Sequence, residues 1–262
     1  MTDKYSQNEW AYFYAALMFY TRLPVPKEAP HSEEILNGSR KYFPLIGIIV
    51  GSIAIAVFFV SHCFFPTSIS VALSMLATIL ATGAFHEDGF ADSCDGFGGG
   101  WQTEQVLTIM KDSRVGTYAV VGLLSLLAIK FLALFELAQI SLQAFAFCYL
   151  AAHTVSRLLS SLVIDSYEYV QDIDKSKAKP MTNTLLSSQD KHSTFIISAL
   201  PILLLMFTAL IPTLIAVAGS AIGVKVFAEY SRKRIGGYTG DVLGASQQLS
   251  EVVFYLTFLA VL

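Results

Sequence analysis

Runs of about 20 mostly apolar residues recur along this chain, near 42–62, 67–85, 115–137, 140–164, 194–211 and 212–229, each long enough to cross the hydrocarbon core of a bilayer as a helix. In lipid a chain must satisfy its backbone N–H and C=O groups internally, which restricts spanning segments to helices or closed barrels. Unbroken runs of this length select helices. Two further segments are marginal. Residues 10–23 are short and aromatic, suited to an interfacial or re-entrant position, and 249–262 closes on VVFYLTFLAVL, which we count as a seventh span. Pro201 and Pro212 fall in the long stretch 194–230 and predict a kinked or broken helix pair there. The expected fold is all-α: a polytopic helical membrane protein of six to seven transmembrane helices, forming one bundle and one domain over residues 1–262.

Composition agrees. Of the 262 residues 54% are hydrophobic and 14% charged, against about 25% charged in soluble domains. With a net charge of -3 and no long basic stripe, nucleic acid is excluded as a partner; the lipid bilayer is the expected one. Cys63, Cys94 and Cys148 lie far apart without CxxC spacing, so neither a disulfide framework nor a thiolate metal site is expected. The opening MTDKYSQNEW lacks the basic start and apolar core of a cleavable signal, and Trp10 reads as an interfacial anchor.

Thirteen of the seventeen lysines and arginines lie in 21–41, 86–114, 165–192 and 230–248. Alternation of the spans puts all four segments on one side, which the excess of positive charge marks as cytoplasmic.

On that side the second span runs into FHEDGFADSCDGFGGG, where Asp88, Asp92 and Asp95 follow at i, i+4 and i+7. On a continuing helix they fall within about 60° of arc. Three carboxylates on one face repel one another, and at the C-terminal end of a helix the dipole adds to the cost. A bound cation relieves both, and hard oxygen donors suit Mg2+, Mn2+ or Ca2+ rather than zinc. A solvated acidic turn is the plain alternative. His86 stands about 160° round from Asp88 on an ideal helix, a candidate proton shuttle rather than a ligand. Lys111, Asp112 and Arg114 follow in the same loop, so cations able to neutralise a phosphate lie near the carboxylates, as phosphoryl transfer requires. The same cations would also serve as topological anchors.

Other polar positions are Arg22 near the membrane, Arg232, Gly236, Gly237, Gly240 and Asp241 in RKRIGGYTGDVLGA, and His153 with Arg157 one turn apart inside a span. Charge at that depth normally faces the bundle interior and marks function. Lys130 and Glu136 are expected to pair or to reach for the interface.

Together, TRLPVP (21–26), FPLIG (43–47), FHEDGFADSCDGFGGG (85–100), IMKDSRVGTY (109–118) and GGYTGDVLGA (236–245) resemble the cobalamin synthase family, adenosylcobinamide-GDP ribazoletransferase, and with the spans between them the resemblance covers nearly the whole chain. Glu87 stands where the family is expected to have an apolar residue. The resemblance implies a multi-span enzyme of the bacterial inner membrane that joins adenosylcobinamide-GDP to α-ribazole or its 5′-phosphate and releases GMP with Mg2+ present. It leaves other corrinoid-assembly enzymes and a second copy of the chain open as partners. The run from Asp92 to Gly96 is also similar to the CDP-alcohol phosphotransferases, by analogy alone. On these two lines Asp88, Asp92 and Asp95 are the expected metal ligands, with Asp241 as a candidate further ligand. Arg22, Lys111, Arg114, Arg157 and Arg232 are the expected phosphate or substrate contacts, and His86, Asp112 and Asp241 the candidate bases. A cation-coupled transporter is the alternative from another class; carboxylates at a helix end and the absence of a visible repeat weigh against it.

Overall fold

A computed structural model of the chain describes residues 9–26, 32–170 and 185–262. Helix α1 (Glu9–Tyr20) and the short α2 (Glu33–Ser39) precede α3 (Phe43–His62) and α4 (Thr67–Thr82). The chain then forms α5 (Phe85–Gly99), α6 (Thr103–Met110), α7 (Thr117–Ile140) and α8 (Leu142–Ser166), followed by α9 (Ser188–Thr208), α10 (Leu210–Ile235) and α11 (Gly240–Leu259). Among the described residues the only β pairing is a bridge between Tyr169 and Tyr238. The all-α expectation holds.

Among the described residues five helical stretches are long and apolar enough to cross a membrane: 33–62, α7, α8, α9 and α10; α4 with α5 forms a sixth only as a pair bent by 89°. The packing suits lipid as the outer solvent. Large apolar side chains such as Leu124, Leu203, Phe207 and Ile222 face outward, while Ser74, Ser156, Gln247 and Glu251 are buried. Helix α8 is the axis of the bundle: its most apolar window is 78% buried, against 22% for those of α9 and α10. Its small residues Ala151, Ala152, Ser156 and Ser160 let α3 and α11 come close.

Two expectations are adjusted, and of the alternatives at Pro201 and Pro212 the broken pair is the one found. The helix does not run straight from the second span into the acidic stretch. Gly83 and Ala84 both take left-handed backbone (φ 66 and 58) and turn the chain between α4 and α5; glycine adopts this without cost, whereas alanine does not. Asp88 therefore sits in the first turn of a new helix, where the dipole favours an anion instead of opposing it. The pair around Pro201 and Pro212 is broken at Ala209, with Pro201 inside α9 and Pro212 in the first turn of α10, where the missing N–H costs no helical bond. The seventh segment begins at Gly240, not 249, and is an interior helix packed on α5, α8 and α10.

The described parts of the four basic segments meet at one end of the bundle; Lys27, Lys175, Lys177 and Lys179 lie outside the described residues. Arg40 pairs with Asp165 at 2.8 Å, Lys191 with the same carboxylate at 3.0 Å, and Lys41 with Asp190 at 3.0 Å. Arg234 donates to the Gly100 carbonyl at 2.6 Å, and Tyr238 N–H to that of Glu168 at 2.9 Å. We read α5, too polar to cross a bilayer alone, as belonging to this end and outside the membrane-spanning helices.

Candidate active site

Helix α5 lies across the start of α11, and the contact is set by Gly89. A Cβ there would stand 2.9 Å from the carbonyl oxygen of Asp241 and 3.0 Å from its Cα, so only glycine lets the two backbones meet. Asp241, in the first turn of α11 behind the Thr239 cap, is thereby brought beside the α5 carboxylates.

Within the group the three α5 aspartates differ. Asp88 is exposed, Asp92 half-buried and Asp95 buried. Asp95 is committed to structure: its oxygens accept the N–H groups of Gly116 at 2.6 Å and Ala119 at 2.8 Å, and it thus caps α7, whose own N-cap Gly116 has no side chain to offer. Burial, followed by the charges of Asp241, Asp88 and Asp95, pushes the Asp92 carboxyl up to about 7. Among the described residues neither Asp88 nor Asp92 has a lysine, arginine or histidine partner.

The donor chemistry of Asp88, Asp92 and Asp241 suits a hard dication. The geometry is open: among the described residues no three His, Cys, Asp or Glu side chains converge as a metal-binding group. A magnesium ion held here would take its remaining ligands from water and substrate phosphates, as magnesium commonly does.

Lys111 is exposed beyond α6. Arg114 is tied to Asp112 by bonds of 2.5 to 3.1 Å, and this pairing holds the Asp112 carboxyl down at about 2. Such a group is a weak base at neutral pH. Arg22 lies exposed against Gly83 and lines an opening of about 520 Å3 with Phe19, Thr82 and Phe85. Arg232 is taken up on the outer face of α10 by Glu229, at 2.8 and 3.0 Å.

The structure does not offer Arg157 to a phosphate. It is buried, and its Nη1 donates to Glu251 at 3.0 Å and to the His153 carbonyl at 2.8 Å. Glu251 also pairs with Lys130 and lies 3.0 Å from His153 Nδ1. Gln248 accepts from Lys130 at 3.2 Å and donates to Glu87 at 2.9 Å. This buried network joins α5, α7, α8 and α11 directly behind the acidic face, and it explains Glu87, whose departure from the expected apolar residue is met by Gln248. Sequence reasoning missed Glu251, although a carboxylate mid-way along an apolar helix is itself a signal. His86, also buried, stacks on Phe43 with ring centroids 5.9 Å apart.

The family described as cobalamin-5-phosphate synthase matches residues 12–259. Relatives named adenosylcobinamide-GDP ribazoletransferase include that of Shewanella amazonensis, 41% identical over 97% of this chain and 96% of the relative. That of Shewanella frigidimarina is 42% identical over 95% and 94%, and that of Vibrio parahaemolyticus 41% identical over 95% and 91%. No solved structure matches the chain. A match of this extent, carried over a helical bundle with its acidic helix at one end, makes the chain an enzyme of cobalamin biosynthesis and a member of the cobalamin-5-phosphate synthase family.

Proposed function

We propose that the enzyme joins adenosylcobinamide-GDP to α-ribazole or α-ribazole 5′-phosphate and releases GMP at the acidic face of α5, with magnesium bound there. The observation that carries this reading is Asp92, whose burial, followed by the charges of three neighbouring carboxylates, pushes its pKa up to about 7. Such a cluster is poorly stable until a cation enters it.

Asp88 and Asp92 would hold the ion, and Asp95 holds α5 against the start of α7 so that these two keep their place. When bound, magnesium neutralises charge on the pyrophosphate and orients it. A ribose hydroxyl oxygen forms the new bond to the phosphorus bearing the aminopropanol arm. The bond from that phosphorus to the bridging oxygen breaks, and GMP leaves with the electron pair. Asp241 takes the hydroxyl proton, because it lies beside Asp92, while His86 is buried behind the acidic face and Asp112 is paired with Arg114. Lys111 and Arg114 lie at the same end of the bundle, where GMP departs, and Arg22 serves the nucleoside. The excess of lysines and arginines supports a cytoplasmic position for this end, and we read the bundle as lying in the bacterial inner membrane.

The reading is tested by metal titration of purified protein. Magnesium is expected to raise the melting temperature of wild type and not that of Asp88→Asn/Asp92→Asn; equal shifts in both proteins contradict it.

A further inference from the structure

A narrow cleft with about 40 Å3 of enclosed space, open at its mouth, lies behind the acidic face among α1, α3, α5, α8 and α11, and its walls are nearly all apolar. Tyr20 and Phe43 stack at 3.9 Å between centroids and 12° between planes, and His86 continues the series at 19° to Phe43. From α8 and α11 the lining is Ser160, Ile164, Gly240, Leu243 and Gly244. A narrow cleft walled by stacked rings suits a flat aromatic ring better than a flexible acyl chain.

Among the lining residues His86 carries an unmet polar atom. His86 is 2% exposed, and its Nε2 has no hydrogen-bond partner among the described residues. Buried polar atoms are rarely left unmet, and a neutral imidazole nitrogen can donate to, or accept from, one nitrogen of a heterocycle. Gly240, in the wall, directly precedes Asp241. A ring seated in the cleft would therefore have its sugar next to the group that takes the hydroxyl proton.

We infer that this cleft binds the heteroaromatic base of the nucleoside substrate, gripped by the Phe43 and His86 rings and hydrogen-bonded by His86 Nε2. The assignment rests on the transferase reading above and adds to it the subsite for the nucleophile's base. His86 is then a substrate contact, separated from the proton transfer assigned to Asp241.

The test uses the full chain in detergent, with α-ribazole binding measured by calorimetry and GMP release measured while each substrate is varied. His86→Phe keeps a ring against Phe43 and removes the nitrogen; Ser160→Leu fills the cleft from α8. Each is expected to weaken α-ribazole binding about tenfold or more, leaving the KM for adenosylcobinamide-GDP within about twofold. The assignment is overturned if both variants bind α-ribazole as wild type does, if both KM values rise together, or if wild type does not bind α-ribazole. Retention of a co-purified lipid that α-ribazole fails to displace overturns it as well. Wild type that binds α-ribazole, with both variants weakened, but releases no GMP would fault the transferase reading while upholding the cleft.

Discussion

Asp95 on α5 reaches the first turn of α7 and accepts the backbone N–H of Gly116 at 2.6 Å. The most deeply buried of the three aligned aspartates is thus a helix cap supplied from a neighbouring helix, and its charge is met by the positive end of the α7 dipole. Asp95→Ala should cost about 1–2 kcal/mol of stability, as cap removals do, with Asp95→Asn less damaging. Thermal unfolding in detergent checks this, and magnesium affinity should fall less in Asp95→Asn than in Asp92→Asn.

Glu251 balances Lys130 and Arg157 within the bundle. Removing one partner of a buried ion pair leaves charge uncompensated, typically at a cost of about 3–5 kcal/mol. Glu251→Leu should lower the yield of folded protein sharply, and the triple variant Glu251→Leu/Lys130→Met/Arg157→Met should recover much of it. Size-exclusion profiles of the three proteins decide the matter.

The Asp92 carboxyl stands at about 7 in the folded protein and at about 3.9 in an unfolded chain. A raised pKa means that the folded state holds the proton more tightly. The resulting stability is complete below pH about 4 and is lost as pH rises through 7. Without metal, wild type should lose more stability than Asp92→Asn between pH 5 and 8 on the same buffer series. Saturating magnesium should shrink that difference, since the ion replaces the proton.

Arg22 shares Phe19 and Phe85 between its own opening and the aromatic cleft. If it meets the 5′-phosphate of the nucleoside, Arg22→Gln should raise the KM for α-ribazole 5′-phosphate about tenfold and leave that for α-ribazole unchanged. Equal effects on the two substrates would assign Arg22 to the fold.

Much of this was legible in the sequence because lipid makes helix length and polarity explicit. The spans, the common end of the basic segments, and the arc shared by Asp88, Asp92 and Asp95 all follow from local spacing. The turn at Gly83 and Ala84 was not legible: the apolar run continues through it, and the left-handed backbone at Ala84 has no signature in residue type. The network around Glu251 was hidden for a different reason. Its partners Lys130 and Arg157 are about a hundred residues away, so Arg157 read by itself looked like a phosphate ligand. Asp95 likewise carried the same spacing as Asp88 and Asp92, and only its burial against α7 separates its role from theirs.

The most direct measurement is GMP release by purified wild type and Asp92→Asn, in one detergent, from adenosylcobinamide-GDP and α-ribazole with magnesium or with EDTA. Wild type should release GMP only with magnesium, and the folded Asp92→Asn protein should be slower by about 100-fold or more. Equal release by the two proteins, or undiminished release in EDTA, would contradict a magnesium-dependent transfer at the acidic face of α5.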